Sequence, residues 1–308
     1  GKEYAFQYLV DESIRIADPY SEKVLHPDDA WINEDAEAYP GLKPYPNGKT
    51  TEYVSVLQTN KPEFNWTDDD WTRPDKEDLV IYELLVRDFS ENHDFATVID
   101  SLDYLERLGV NAIELLPVNE FEGNQSWGYN PAFYFAPDRY YGPSKDLKRL
   151  VNEAHNRGIA VILDAVYNHS FGQSPMVRLY NEGNYGAPTS QNIWFNTTAR
   201  HPFNVGYDFD HESIYTQRFI DRVNKYWLEE YHIDGYRYDL SKGFTQNFSG
   251  DVGAWNQYDQ SRVNLLTRMK DKVREYDPDA YLILEHLGNN DEEKVLADNG
   301  FMLWGIMR

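Results

Sequence analysis

The run IDGYRYD, residues 233–239, sets Arg237 and Asp239 two positions apart at the end of a short stretch with the marks of a buried strand. Side chains alternate along a strand, so Gly235, Arg237 and Asp239 share one face while Tyr236 and Tyr238 share the other. Alone, such a pair reads as a structural ion pair, because an interior charge needs a partner. Two further segments change the balance. AVILDAVYNH, residues 160–169, is apolar and β-branched up to Asp164, and YLILEH, residues 281–286, is apolar up to Glu285. Each strand acquires its acid where it ends. In a barrel of parallel strands with intervening helices that edge carries the chemistry.

The elements that must position these residues follow a strand-then-helix rhythm from residue 79. DLVIYELLVRDF reads as a buried first strand. Phe95, Val98, Ile99, Leu102, Leu105 and Leu108 form one helical face that ends at Gly109. VNAIELLPV is the second strand, followed by a long aromatic loop, residues 119–142, of a length usually kept for function. A helix from Ser144 to about Gly158 delivers the third strand, a helix from Ile214 to about Tyr231 the fourth, and one over residues 260–276 the fifth. A sixth strand is expected near Phe301. Residues 170–212 show no period and read as an irregular excursion. The fold class is therefore α/β: a partial (β/α)8 barrel of five to six strands, residues 77–308.

Residues 1–76 alternate in short runs (YAFQYLVD, SIRIADPY, TEYVSVLQT) separated by Pro- and Asn-rich turns. They read as the C-terminal part of a β-sandwich module with a linker, FNWTDDDWTRPDKED, at its end. The net charge of −23 opposes binding to phosphate backbones or anionic lipid, and no apolar run reaches the length of a membrane span. There is no cysteine, hence no disulfide and no thiolate metal site. Aromatic residues make up 15% of the chain and many sit in polar loops, where rings beside acids and amides suit stacking on sugars. Gly1 is not an initiator methionine, so the chain reads as a processed or cloned piece.

From about residue 79 onward the chain resembles the α-amylase family of retaining glycoside hydrolases and transglycosylases. DAVYNH after the third strand, GYRYD on the fourth and the acid ending the fifth match the family's motifs in order, while SWGYNP and FAPDRYYG resemble its branching and debranching members. The resemblance implies Asp239 as nucleophile, Glu285 as general acid/base and Arg237 as the residue orienting the nucleophile. It places Asp164 in support of the arginine, His169 and Tyr129 on the sugar at the cleavage subsite, and Lys242 on the leaving-group side; Trp127 of the same loop as Tyr129 is counted with the substrate-binding residues. Arg237 is expected to hold Asp239 ionised while Glu285 titrates high in a less polar setting.

Adjacent strands lie about 4.8 Å apart, which suits the roughly 5–5.5 Å between carboxyls in a retaining pair. The implied partner is an α-linked glucan, with no nucleic acid and no membrane insertion. No cofactor is expected. Calcium, which many members ligate at the position of Asn168, is not favoured, because Gly243 stands where those members carry a histidine. The string NHD at residues 92–94 mimics a further family motif but lies in the wrong place and reads as a loop and helix start. The family's third catalytic acid comes from a seventh strand that the chain does not reach, so the piece as given is expected to be nearly inactive. The alternatives are a non-catalytic glucan-binding or structural fragment, a debranching or glucan-transferring enzyme within the same class, and another chemistry on the same barrel.

Overall fold

The computed structural model describes residues 1–30, 32, 38–203 and 205–305. The ranges 1–76, 170–212 and 77–308 read from the sequence thus include residues 31, 33–37, 204 and 306–308, which lie outside the described ones. By compactness the chain divides into Gly1–Val161 with Gln173–Pro175 and Tyr231–Ile233, and Ile162–Gly172 with Met176–Glu230 and Asp234–Arg308. That division falls inside the third apolar run.

In the first unit the alternating N-terminal runs become β1 (Glu3–Phe6), β2 (Tyr8–Val10), β3 (Ile14–Ile16), β4 (Val24–Leu25) and β5 (Val54–Gln58). They form a three-stranded antiparallel sheet, β1-β5-β4, and a β2-β3 hairpin. The acidic connector is anchored by its aromatic residues. Trp71 stacks on His155 and Trp66 on His232, and Asp68 bonds the two imidazoles at 2.8 and 3.1 Å.

Next come β6 (Ile81–Leu84) and β7 (Ala112–Leu115), paired in parallel, and the hairpin β8 (Asn119–Phe121) and β9 (Pro131–Pro137). The segment after residue 79 departs from the buried strand expected. β6 is half exposed, having one neighbour in the described sheet, and Val86–Phe89 already turns as a short helix. The helical face after it is split at Ser101 into α1 (Phe95–Asp100) and α2 (Leu102–Leu108). Phe95, Val98, Leu102 and Leu105 are buried, but Leu108 is exposed, since the turn at Ser101 rotates the last residue off the buried stripe. Gly109 ends α2 in the left-handed conformation (φ 85°). Asp94 of the NHD string caps α1 by accepting from Thr97 N at 2.7 Å, a helix start as expected. α3 (Ser144–His155) buries Leu147, Leu150, Val151 and Ala154 on one side.

β10 (Ala160–Ala165) leads into the second unit, which holds a short antiparallel pair, β11 (His169–Ser170) with β12 (Tyr207–Asp208), then α4 (Ile214–Tyr231), β13 (Gly235–Tyr238), α5 (Gln260–Tyr276), β14 (Tyr281–Leu284), α6 (Asn290–Asp298) and β15 (Met302–Leu303). In the second unit the parallel order is β15-β14-β13-β10, and in the first β7 and β6 pair in parallel, strands with helices between them as in part of a (β/α)8 barrel. Gly235 is required where β13 meets β14, because a Cβ there would lie 2.2 Å from the Tyr281 carbonyl oxygen. The alternation read from GYRYD holds. Tyr236 and Tyr238 are fully buried, Tyr236 donating its hydroxyl to the Asn224 carbonyl of α4 at 2.6 Å, while Arg237 faces the other way.

Candidate active site

Strand register brings the acids together. Asp164 pairs with Arg237 across β10 and β13, and Tyr238 with Leu284 across β13 and β14, so Asp239 and Glu285 follow side by side at the same edge. Their backbones are tied to that edge: Asp239 N donates to Ala165 O at 3.0 Å, and Glu285 N to Tyr238 O at 3.1 Å. Arg237 is the hub. One terminal nitrogen donates to Asp164 (2.8 Å) and Asp239 (3.0 Å), the other lies 3.3 Å from Glu285, and the guanidinium sits over the Trp304 ring. Asp164 and Arg237 are buried, whereas the side chains of Asp239 and Glu285 retain 14% and 21% exposure. A single cation therefore fixes three carboxyls and leaves two of them open to solvent.

The backbone bends sharply at these ends. Leu240, next after Asp239, is left-handed at φ 41°, a conformation that costs a branched residue free energy and recurs where function over-determines the chain. The bend aims Leu240 N at Glu285 Oε2, 2.9 Å away, so the amide after one carboxyl holds the other.

Asn168 and His169 continue the network. The Asn168 amide donates to Asp239 Oδ2 at 3.0 Å and to the Asp239 carbonyl at 3.1 Å. Its Oδ1 is thereby the acceptor that faces His169 Nδ1 at 2.5 Å, which sets the proton on Nδ1. His169 is thus linked to Asp239 through one side chain.

Burial is the largest influence on both carboxyls and pushes each above the ordinary range, against the lowering pull of Arg237. Glu285 moves as expected from the sequence. Asp239 moves upward as well, because desolvation outweighs the guanidinium and the Asn168 hydrogen bond. Each also feels the other, Glu285 lowering Asp239 and Asp239 raising Glu285, as in carboxyls that titrate as a pair.

The remaining residues nominated from the sequence fall in two places. Lys242 is buried beside this edge, with its ammonium 2.5 Å from Asn256 Oδ1, 3.0 Å from the Leu287 carbonyl and over the face of Trp255. Its donors are turned to protein groups. Trp127, exposed, and Tyr129, half-buried, lie in the first unit on the loop between β8 and β9, which is braced by Asn130 Nδ2 donating to Glu122 O at 2.8 Å and Gly128 N to Ser126 Oγ at 3.0 Å.

The donors around Asn168 do not fit a calcium ion, which takes six to eight oxygens. Asn168 has committed its amide to Asp239 and its carbonyl to His169. A Cβ at Gly243 would come within 2.8 Å of the Asn168 side chain and 3.4 Å from His201 Nε2, so the space beside it is already filled. Among the described residues no group of three or more His, Asp or Glu is placed to hold a metal.

Four residues that touch this edge escaped the sequence. Ser241 and Glu292 sit at helix starts, and His286 and Trp304 lie just beyond β14 and β15, where nothing in the sequence announces their partners. A visible signal existed only one shell out, at Arg262, where an arginine takes a core position on α5 in line with Leu266, Met269 and Val273.

The sequence model of the family described as "Alpha amylase, catalytic domain" matches residues 62–215. Malto-oligosyltrehalose trehalohydrolase of Saccharolobus solfataricus is 32% identical over 267 residues, 86% of this chain and 41% of that protein. Isoamylase 1, chloroplastic, of Arabidopsis thaliana is 28% identical over 285 residues, 79% of this chain and 34% of that one. Among solved structures, pullulanase type I from Bacillus subtilis str. 168 complexed with maltose has a TM-score of 0.61 at 24% identity, covering 93% of this chain and 39% of that chain, a likeness of fold. The chain spans less than half the length of these relatives.

Proposed function

The chain belongs to the alpha-amylase family, and from that premise we propose that it carries the reacting carboxyls of a retaining glycoside hydrolase acting on α-linked glucans. The observation that carries this is Arg237 binding two partly exposed carboxyls at the ends of neighbouring, in-register strands. Residues 239 and 285 directly follow a register pair, and adjacent strands are about 4.8 Å apart. That spacing favours the roughly 5–5.5 Å of retention over the wider gap that an inverting pair keeps for water.

Asp239 attacks the anomeric carbon and forms a glycosyl ester while Glu285 gives its proton to the departing glycosidic oxygen. Glu285, now a carboxylate, takes a proton from water or an acceptor hydroxyl, whose oxygen displaces Asp239 from the anomeric carbon. Two inversions leave the α-configuration. The raised pKa of Glu285 suits its first role, a carboxyl that must still hold a proton when substrate arrives. Arg237 orients Asp239, with Asp164 holding the guanidinium. His169, Tyr129, Trp127 and Lys242 belong to the sugar-binding part of the proposal, and residues 1–76 to a β-sandwich module before the barrel. Relatives named as a trehalohydrolase, an isoamylase and a pullulanase, one complexed with maltose, support an α-glucan substrate.

The test is hydrolysis of soluble starch, pullulan and glycogen, with the first-formed anomer read by NMR, for this chain and for the full-length gene product. Release of α-anomers by the full-length product, abolished in Asp239→Asn, is the expected result. First-formed β-anomers would overturn retention. Glucan binding with no turnover would overturn catalysis in favour of a binding module.

A further inference from the structure

Behind Glu285 lies a second buried network that the chemistry above does not use. His286, the next residue, is 1% exposed and bonded at both ring nitrogens: Nε2 lies 2.7 Å from Glu292 Oε1 and Nδ1 lies 3.0 Å from Ser241 Oγ. Glu292, fully buried in the first turn of α6, takes both arms of Arg262 from α5, at 2.6 and 2.7 Å, and also accepts from Asp259 N at 2.6 Å. Ser241 closes the circuit on Glu285 itself, its backbone N–H donating to the Glu285 carbonyl at 3.0 Å with its hydroxyl 3.1 Å from the same oxygen.

We propose that Arg262, Glu292 and His286 form a positioning relay that fixes the backbone of Glu285 through Ser241, and so sets where its carboxyl points. The proposal rests on the assignment of Glu285 as acid/base. The paired carboxylate of Glu292 draws the imidazole proton to Nε2, leaving Nδ1 to accept from the Ser241 hydroxyl, whose one proton is shared with the Glu285 carbonyl. The chain beyond is clamped by the same elements. Leu287 is left-handed at φ 52° with its carbonyl on Lys242, Gly288 N donates to Glu293 at 3.0 Å, and Asn289 N donates to Asn256 O at 3.1 Å. Such a strained turn persists only where its surroundings over-determine it. The charged groups facing this segment are Arg237, Asp239, Lys242, Arg262, Glu292 and Glu293. None of the three relay residues touches the open face of the Glu285 carboxyl, so they act through position.

The experiment compares wild type, His286→Ala and Glu292→Gln in the full-length gene product. If the relay positions Glu285, His286→Ala loses about tenfold to a hundredfold in kcat per folded molecule, the scale of a displacement near 1 Å, with KM nearly unchanged. The alkaline limb of its kcat/KM profile moves to lower pH as Glu285 relaxes toward water. Glu292→Gln, which keeps an acceptor for His286 Nε2–H, retains most of kcat. A merely structural role would lower the folded fraction and leave kcat per folded molecule and the limb where they are, which would overturn the proposal. Turnover is not the only readout. The carboxyl carbon of Glu285, followed by NMR across pH, should titrate lower in His286→Ala than in wild type. If wild type cleaves no glucan, the catalytic assignment fails while this titration still decides the relay, which falls if the curves coincide.

Discussion

Arg139 and Arg237 are both buried arginines that serve clustered acids, one in each compact unit, and they differ in what reaches solvent. Arg139 binds Asp29 at 2.5 Å and Glu120, with Asp138 buried alongside; the side chains of Arg139, Asp29 and Glu120 are 2%, 4% and 0% exposed. Every acid there is spent on protein donors. Glu120 also accepts from Tyr53 Oη and Arg139 N, and Asp138 from Phe121 N and Tyr140 N. Around Arg237 the innermost acid, Asp164, is equally sealed, but Asp239 and Glu285 keep an open side. Charge clustering is common to both; of the two, the second leaves carboxyls partly open to solvent. Access, more than the presence of acids, separates a sealed framework from a candidate reactive site.

Two substitutions in the full-length gene product would break this distinction if it is wrong. Asp239→Asn should lower kcat/KM by on the order of 10⁴-fold while the protein melts within a few degrees of wild type, since the side chain lost is one that burial already disfavours as an ion. Arg139→Met should do the reverse, costing roughly 3–5 kcal/mol of stability by stranding two buried carboxylates and leaving kcat per folded molecule unchanged. Glucan hydrolysis and denaturant melts on both proteins measure the four quantities. An Arg139→Met protein that melts normally but has lost its turnover would erase the contrast.

The sequence exposes these two clusters unequally. Asp164, Arg237, Asp239 and Glu285 are legible because each ends an apolar run, and parallel strands deliver run ends to one edge. The long helices α3, α4 and α5 were legible from their period for the same reason: a buried stripe must repeat. Asp138 and Arg139 sit in FAPDRYYG, which carries a resemblance but no period that would say what they touch, and Arg139 meets Glu120 from the neighbouring strand of the hairpin and Asp29 from far along the chain. His286 and Glu292 are illegible in the same way, joined by a turn whose left-handed Leu287 no local pattern announces. Position 108 misled because the helical stripe was extended through Ser101, where the helix turns.

A second sealed arginine sharpens the comparison through pH. Arg262 faces one carboxylate, Glu292, whose pKa burial would raise but which the hydrogen bonds of His286 and Arg262 bring down to about 2. Asp138, in the acid-rich cluster, is pushed by burial up to about 8. The signs oppose. For Glu292 the unfolded chain binds the proton first, so its contribution is full above the ordinary glutamate value and is lost as pH falls through about 2. It amounts to about 3 kcal/mol. For Asp138 the folded chain holds the proton longer, so stability is highest below the ordinary aspartate value and declines as pH rises through about 8. Urea midpoints from pH 2 to 9 should therefore peak between the two windows, and Glu292→Gln should flatten the acid side alone. An acid side as steep as wild type in that variant would mean that the Arg262–Glu292 pair contributes no net stability.

The smallest expected effect is also the closest to the open cluster. Asn168 donates its amide to Asp239, and a hydrogen bond to a charged group contributes about 1.5–3 kcal/mol. Asn168→Ala should accordingly reduce kcat by roughly tenfold to a hundredfold with little change in KM, and it also removes the acceptor for His169 Nδ1–H. Asn168→Asp separates the two losses. It restores an acceptor for His169 but sets a carboxylate against Asp239 Oδ2, which raises the pKa of Asp239 further and moves the acid limb of the kcat/KM profile to higher pH. The sealed cluster around Arg139 offers no such handle, because every acid in it is already held by protein donors and no substrate waits on its ionisation. If Asn168→Asp keeps the wild-type acid limb, Asp239 does not depend on Asn168 for its ionised form, and Arg237 suffices to hold it.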